Sequence, residues 1–185
     1  MRPAGPVPRI EGVDECVALL SYNGAGRELV ARLKFRNQRC GSAWLGRGMA
    51  QLVSDWSADV VTWAPANPAN VRERGFDHGK LLARVVGRTL KVRVANLLER
   101  GPGASLTGQT AGERVGGPPL RPRSAIGRAW PLLGRRVLLV DDVITTGATL
   151  TTAAGQLRRL GVVSVVAVAA AHTPLAVLGI RAGDT

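Results

Sequence analysis

The sequence is poor in cysteine and in aromatic residues. Cys16 and Cys40 are its two cysteines, and they do not form a C-x-x-C pair. The spacing therefore indicates neither a zinc site nor a disulfide framework, and unpaired thiols of this kind are typical of the reducing cytoplasm. Aromatic residues make up 4% of the chain against 45% hydrophobic residues in total. We therefore expect a core built mainly of Val, Leu and Ala.

The chain also lacks a long, uninterrupted apolar run. Residues 1–15 contain no apolar stretch of signal-peptide length. The most apolar late stretch, residues 162–178, is interrupted by Ser164, His172, Thr173 and Pro174, so it is too short for a membrane span. We predict a cytoplasmic protein with a loose N-terminal segment over residues 1–20. Residues 21–185 are long enough for a single domain with a real core.

Lysine and acidic residues are scarce beside arginine. Lysine occurs only at positions 34, 80 and 91, and the 25 basic residues exceed the 13 acidic ones to give a net charge of +12. Such a charge favours nucleic acid, anionic membranes or phosphorylated small molecules. Compositional drift towards Arg and Ala would produce the same charge, so the charge alone does not separate these alternatives.

Hydrophobic patterning predicts an α/β fold. The runs "RRVLLVDD", "ATLTTAAGQLRRLG" and "VVSVVAVAAA" predict strand, helix and strand in succession. Short connections between them indicate a βαβ unit and a parallel sheet. Upstream, "ADVVTWAP" predicts a short buried strand and "VRVANLL" a further one. Residues 99–131 are rich in Gly, Pro and Arg, which is typical of a functional loop or of disorder.

Helical spacing of apolar residues appears in three places. We predict helices over residues 26–35 and 43–53, and a third that Asp77 caps and that runs to Leu90. The inward-facing residues of the third helix are predicted to be Leu81, Leu82, Val85 and Val86.

The stretch "VLLVDDVITTGATL", residues 137–150, places a polar turn directly after the clearest strand. Asp141 and Asp142 follow the apolar run, and ligands of open parallel sheets bind beyond the carboxyl ends of the strands. The free amides and dipole of a helix that begins near Ala148 favour an anion. Gly147 permits a tight turn. The hydroxyl donors beside it are Thr145, Thr146 and Thr149.

The turn thus combines groups that favour an anion with carboxylates that favour a cation or hydroxyl donors. The helix amides and hydroxyls suit a terminal phosphate, whereas Asp141 and Asp142 suit sugar hydroxyls or Mg²⁺. A nucleotide-binding P-loop is the alternative, but "GFDHGKLL" has the wrong glycine spacing and Leu81 in place of a hydroxyl. An ordinary strand, turn and capped helix would leave the two carboxylates in need of partners.

The same stretch resembles the phosphoribosyl-diphosphate binding motif of the type I phosphoribosyltransferases. The segment "RERGFDHGKLLARVVG", residues 72–87, resembles the R-x-R-G-F-N-Q-x-x-x-L-A element of the ComF family of competence-associated proteins. Residues 22–40 resemble that family's opening helix, and "LTGQTAGERVGG", residues 106–117, its central Gln and Glu-Arg segment. The resemblance extends from about residue 22 to residue 172.

This resemblance implies a parallel-sheet, Rossmann-like phosphoribosyltransferase fold with flanking helices and a mobile loop. It implies that Asp141 and Asp142 hold the ribose hydroxyls of phosphoribosyl diphosphate, with Mg²⁺ bound mainly through the ligand. Arg72 or Arg74 would contact the diphosphate, and the candidate catalytic residues are Asp141, Asp142 and Arg74. The 5′-phosphate would be bound by Thr145, Thr146, Gly147, Ala148 and Thr149. The mobile lid would include Gln109, Glu113 and Arg114.

The sequence departs from the family pattern in several places. Residues 64–66 read Ala-Pro-Ala where the family has V-P-V-P, and Asp77-His78 replaces the usual Asn-Gln. Asp77 would bring negative charge near a diphosphate unless it only caps its helix. The four-cysteine zinc element with which many relatives begin is absent. Thr145 stands where purine-salvage relatives have a carboxylate, which disfavours a 6-oxopurine acceptor and leaves the acceptor unnamed.

The roles of the two histidines remain open, and two functional hypotheses fit the sequence. His78 is either a general acid or a surface residue, and His172 is a candidate for the rim of the ligand pocket. The first functional hypothesis is phosphoribosyl transfer to an unknown acceptor. The second is a non-catalytic ComF-like protein that binds single-stranded DNA during uptake or repair. DNA binding would require Arg32, Arg36, Arg39 and the arginines of residues 121–136 to form one basic stripe.

Overall fold

A computed structural model describes residue 4 and residues 7–23, 38–101, 119–123 and 131–174. Its strands are β1 (Glu15–Ser21), β2 (Val60–Trp63), β3 (Leu98–Arg100), β4 (Leu120–Pro122), β5 (Arg136–Ile144) and β6 (Ser164–His172). Its helices are α1 (Gln38–Leu52), α2 (Pro68–Arg74), α3 (His78–Leu90) and α4 (Ala148–Arg159). None of the described helices is both long and apolar enough to cross a membrane.

The main sheet has the strand order β1-β6-β5-β2, and every neighbouring pair is parallel. The two central strands pair from Arg136 opposite Ser164 to Ile144 opposite His172. Their apolar runs are continuous because strands of a parallel sheet are covered on both faces. The predicted parallel sheet and α/β class are thereby confirmed.

Alternate residues of β5 supply the two faces of the core. Leu139 packs on one face in a cluster with Ala153 and Leu157 of α4. Leu138 packs on the other face with Met49 of α1 and Val86 of α3. Each fully buried leucine stabilises the fold by roughly 1.5–3 kcal/mol. Helices therefore cover β5 on both faces.

The helix predictions are confirmed where the structure describes them. α1 covers the predicted residues 43–53 apart from the last, and α3 begins after Asp77 and ends at Leu90 as expected. The inward face of α3 includes Leu82 and Val86, whereas Leu81 and Val85 are only half-buried. The helix predicted over residues 26–35 lies outside the described residues.

Three sequence predictions need correction. Residues 92–98 do not form a strand: Val94 makes one isolated parallel bridge to Val61, and β3 begins only at Leu98. Leu97 and Leu98 are buried in the core. Residues 15–20 are not loose, since they form most of β1 and pair with β6. The long loop contains the antiparallel pair β3–β4 at its two described ends.

Candidate functional site

A cleft of about 170 Å³ opens at the carboxyl ends of β2 and β5. The loop after β2 and the first residues of α3 form one wall, and the end of β5 forms the other. The residues that line it are Ala64, Pro65, Ala66, Asn67, Phe76, Asp77, His78, Gly79, Arg100, Asp141, Asp142, Val143 and Thr149. The position agrees with the rule that ligands of open α/β sheets bind at this edge.

Asp141 and Asp142 lie within β5, which continues to Ile144 beyond the predicted apolar run. Both are half-buried and both line the cleft. Asp141 Oδ1 accepts a 2.7 Å hydrogen bond from the Asp142 amide, and Asp142 Oδ1 accepts one of 2.7 Å from the Val143 amide. These bonds fix one oxygen of each carboxylate on the strand itself. The structure thus brings both predicted acids to the cleft.

The turn after β5 provides backbone amides at the start of α4. Gly147 is the N-cap with a positive φ of 81°, and the first bond within the helix runs from Thr151 N to the Gly147 carbonyl at 2.9 Å. The amides of Ala148, Thr149 and Leu150 precede that bond, as at any helix start. Thr146 Oγ1 accepts a weak 3.4 Å bond from the Ala148 amide.

The structure divides the predicted phosphate-binding residues into two groups. Thr149 lines the cleft together with the acidic pair. The remaining four form the adjoining turn and do not line the cleft, with Thr145 and Thr146 exposed, Gly147 buried and Ala148 half-buried. The buried side of the turn rests on Ile10, because a Cβ added at Gly147 would lie 3.1 Å from Ile10 Cγ1.

Asp77 is engaged on both carboxylate oxygens. Its Oδ1 accepts the Lys80 amide at 3.2 Å, which is the predicted N-cap of α3. Its Oδ2 accepts the Trp63 indole N–H at 3.2 Å and the Ala66 amide at 3.3 Å. The prediction of a helix cap is confirmed, and the carboxylate also joins α3 to the end of β2.

The two histidines lie in different places. His78 is 7% exposed, lines the cleft and makes an edge-to-face contact with Phe76 at a centroid distance of 4.6 Å. The alternative that His78 is a surface residue is therefore wrong. His172 is buried at the end of β6 and contacts the Ala4 carbonyl oxygen. It does not line the cleft, so its expected place at the pocket rim is wrong as well.

The predicted diphosphate and lid residues fall outside the cleft or outside the described residues. Arg72 is exposed on α2 and does not line the cleft. Arg74 ends α2, and its side chain lies outside the description. The lid candidates Gln109, Glu113 and Arg114 also lie outside the described residues.

Arg100 is a cleft residue that sequence reasoning missed. It ends β3, and its Nε–H donates a 2.9 Å hydrogen bond to the Pro65 carbonyl. Burial lowers the pKa of the guanidinium, while the charges of Asp141 and Asp77 act in the opposite direction. The available signal was weak: a cation two residues after the run "ANLL", immediately before a long Gly- and Pro-rich loop.

The lining side chains make the cleft acidic. Asp77, Asp141 and Asp142 face a single guanidinium among the described lining residues. Burial, with the charge of Asp141 second, raises the pKa of the Cys16 thiol to about 12. Cys16 is an unpaired thiol, as expected, and its high pKa makes it a poor nucleophile at neutral pH.

Comparison with solved structures identifies the architecture. Glutamine phosphoribosylpyrophosphate amidotransferase from B. subtilis is similar over 70% of this chain, with 22% identity and a TM-score of 0.50. The fold is that of the type I phosphoribosyltransferases.

Other solved structures are similar to this type I phosphoribosyltransferase fold at lower scores. A purine phosphoribosyltransferase from Pyrococcus horikoshii has 14% identity and a TM-score of 0.49, with 71% of this chain and 81% of that chain covered. This chain spans only 26% of the length of the B. subtilis amidotransferase. No protein-family model and no curated protein matches the chain.

Proposed function

We propose that this chain binds phosphoribosyl diphosphate with Mg²⁺ and transfers the phosphoribosyl group to an acceptor, in the cytoplasm. The observation that carries the proposal is the convergence of Asp141, Asp142 and Thr149 on one cleft. A pair of hydrogen-bond acceptors for hydroxyls and a helix start for a phosphate are thereby combined at the carboxyl edge of a parallel sheet.

Different parts of the ligand would bind at different places along the turn after β5. The amides at the start of α4 and the hydroxyl of Thr149 would bind the 5′-phosphate, because a helix start favours negative charge. Asp141 and Asp142 would accept hydrogen bonds from the ribose hydroxyls. The diphosphate would then extend towards the loop of residues 64–67, which forms the opposite wall.

The acidic lining fits a ligand that arrives with a divalent cation. Three carboxylates and one guanidinium line the described cleft, so a polyanion would be repelled without added positive charge. Among the described residues there is no group of three or more His, Cys, Asp or Glu that could hold a metal alone. Mg²⁺ prefers few carboxylates together with phosphate oxygens and water, which matches Asp141 and Asp142.

Displacement of diphosphate at the anomeric carbon requires three contributions from the protein. The carboxylates orient the ribose and favour the positive charge that develops on the sugar. Bound Mg²⁺ would neutralise charge on the leaving diphosphate. The segment with Gln109, Glu113 and Arg114 is proposed to close over the cleft and exclude water. Thr145 is exposed and carries no carboxylate, so we do not propose a 6-oxopurine acceptor.

Titration calorimetry with phosphoribosyl diphosphate tests the binding step, with and without Mg²⁺. We expect phosphoribosyl diphosphate to bind only with Mg²⁺. The double variant with Asp141→Asn and Asp142→Asn should bind it at least tenfold more weakly. Asp55→Asn, an exposed acid outside the cleft, is the matched control and should leave the affinity unchanged. Absence of binding by the unaltered protein would refute the proposal. Diphosphate release across a panel of nucleobases then identifies the acceptor.

A non-catalytic ComF-like protein with a role in competence, DNA uptake or repair is the second candidate. The observation that favours it is the net charge of +12, together with exposed arginines such as Arg121 at 60% exposure. Arg121 and Arg123 pair with Glu99, and Arg136 pairs with Asp59. Arg32 and Arg36 lie outside the described residues, as does the side chain of Arg39.

Affinity for single-stranded DNA at several salt concentrations tests this second candidate. Binding through phosphates predicts a steep decrease in affinity as salt rises, because counterions are released on binding. A flat response would exclude it. Arg121→Gln combined with Arg123→Gln should reduce the salt slope, whereas Asp141→Asn should not.

A further inference from the structure

A tight turn at residues 10–13, the N-terminal turn, lies shortly before β1 and packs against α4. The Val13 amide donates a 3.1 Å hydrogen bond to the Ile10 carbonyl, and Gly12 has a positive φ of 79°. Glycine is common at the third position of a turn because it adopts positive φ without steric cost. A Cβ added at Gly12 would lie 3.2 Å from Cβ of Ala154, so the turn rests on the middle of α4.

The chain is attached to the rest of the fold on both sides of the N-terminal turn. After the turn, Asp14 forms an ion pair with Arg158 near the end of α4, and its Oδ2 accepts the Val165 amide of β6 at 2.8 Å. Before the turn, the Ala4 amide donates a 3.0 Å hydrogen bond to the Ala18 carbonyl of β1. The position of the N-terminal turn is therefore fixed by contacts with α4 and with two strands of the main sheet.

Ile10 is the side chain of this turn that reaches the start of α4. It is 4% exposed and belongs to the same core cluster as Leu150. Three of its side-chain carbons lie 3.1–3.8 Å from the position that a Cβ of Gly147 would occupy. Ile10 thus supports the buried part of the turn after β5, whereas Thr145 and Thr146 in the same turn are exposed.

The turn after β5 has little else of its own that fixes its backbone. Its N-cap, Gly147, makes no side-chain cap bond, and glycine has the widest choice of backbone conformations. The Ala148 amide donates only a weak 3.4 Å bond to Thr146 Oγ1. A helix start binds an anion well when its free amides point towards one place. Packing by Ile10 therefore supplies a constraint that these local bonds do not.

On the basis of the proposed function, we infer that Ile10 is a positioning residue for the 5′-phosphate, because it holds the turn after β5 in the conformation that directs the α4 amides at that group. Ile10 does not line the cleft and acts through Gly147. The coupling is reciprocal: a phosphate ligand that favours this conformation of the turn also stabilises the N-terminal turn. Ligand binding in the cleft and packing of Ile10 outside it are then linked.

Calorimetric titration with ribose 5-phosphate and with inorganic diphosphate, each with Mg²⁺, tests this inference. We expect Ile10→Ala to weaken ribose 5-phosphate binding by about 3- to 10-fold, as when the competent conformation is populated roughly a third to a tenth of the time. Ile10→Val should lose less, because it keeps both γ carbons. The affinity for diphosphate should not change, since that group is proposed to bind towards the opposite wall.

Leu132→Ala is the matched control for a general loss of stability. Leu132 is also 4% exposed and lies in the same core cluster, but it precedes the amino end of β5, away from the turn. Its replacement should leave the affinity for ribose 5-phosphate unchanged. Thermal melts establish that each variant is folded.

Hydrogen exchange at the Val13 amide provides a second readout, in the unaltered protein. That amide is bonded to the Ile10 carbonyl within the N-terminal turn. Saturating ribose 5-phosphate should slow its exchange at least about threefold, which by linkage matches the smallest affinity loss expected for Ile10→Ala. Inorganic diphosphate should leave the exchange rate unchanged.

The outcomes separate this inference from the proposed function. Equal ribose 5-phosphate affinity in Ile10→Ala and the unaltered protein overturns the inference, as does an equal loss in Leu132→Ala. Unchanged exchange at Val13 also overturns it, and this measurement decides alone should Ile10→Ala not fold. If the unaltered protein binds ribose 5-phosphate but releases no diphosphate from phosphoribosyl diphosphate with any acceptor, only the proposed transfer fails. Absence of ribose 5-phosphate binding overturns both.

Discussion

The indole N–H of Trp63 donates a 3.2 Å hydrogen bond to Oδ2 of Asp77 and so joins the end of β2 to the start of α3. Trp63 is buried, with 5% of its surface exposed. The same carboxylate accepts the amides of Ala66 and Lys80. The sequence left two roles open for Asp77, a negative charge near a diphosphate or a helix cap. In the structure Asp77 caps α3 and also shapes one wall of the cleft.

Replacement of Asp77 should destabilise the fold. Asp77→Ala removes a helix cap, at a cost of about 0.5–2 kcal/mol, and leaves a buried indole donor without its acceptor, at about 1–3 kcal/mol. We expect a total loss of roughly 2–4 kcal/mol in the free energy of unfolding by urea. Asp77→Asn should cost less, because one amide oxygen can still accept. Asp55→Ala, at an exposed site, should change stability by less than about 0.5 kcal/mol.

Much of the site could be predicted because its signals are local. The apolar run before Asp141 identifies a buried strand, and Asp77 is a common capping residue directly before a helical pattern. Arg100 had only a weak local signal, since its partner Pro65 is 35 residues away in sequence. The burial of His78 depends on Phe76 and on the loop after β2, which no periodicity reveals. Strands of three residues, such as β3, are too short for alternation to identify them.

Gly147 is the position in the turn after β5 where a side chain should be least tolerated. Its φ of 81° is costly for any residue with a Cβ, and that Cβ would meet Ile10 Cγ1 at 3.1 Å. Gly147→Ala should therefore reduce the free energy of unfolding by about 1–2 kcal/mol or more. It should also weaken ribose 5-phosphate binding, because the amides of the turn would shift.

A second substitution separates the two causes. In the Gly147→Ala background, Ile10→Ala removes the steric contact but not the backbone strain. A double-mutant cycle by urea unfolding should then show a favourable coupling energy between the two positions. Simple additivity would mean that the contact with Ile10 contributes nothing and that backbone strain alone sets the cost.

Asp59 should make stability depend on pH. The Arg136 amide donates a 2.7 Å hydrogen bond to Asp59 Oδ2, and this bond, with the arginine charge, lowers the pKa of that carboxyl group. A lowered folded-state pKa means that the stabilisation is present above the ordinary carboxyl pKa and is lost as the pH falls through the folded value.

The matching experiment compares the unaltered protein with Asp59→Asn. Near pH 7 the variant should be less stable, and the difference should narrow as the pH falls below the ordinary carboxyl pKa of about 3.9 and through the lowered folded value. Chemical denaturation across that range measures it. Asp55→Asn is the control, because Asp55 forms no ion pair with a described residue. A stability difference that stayed constant with pH would contradict the assigned role of the ion pair.

Cys16 should resist alkylation although it is an unpaired thiol. Burial raises its pKa to about 12, and the charge of Asp141 contributes second. With that pKa, about one thiol in ten thousand would be thiolate at pH 8. Labelling should therefore be slow, because only the thiolate reacts. In a Cys40→Ser background, labelling by a disulfide reagent should be roughly a thousandfold slower than for a free cysteine. Asp141→Asn should raise that rate only modestly, because it removes the smaller of the two causes and leaves the burial intact. A rate like that of free cysteine in the Cys40→Ser background would contradict the burial of Cys16 and would show that β1 opens to solvent.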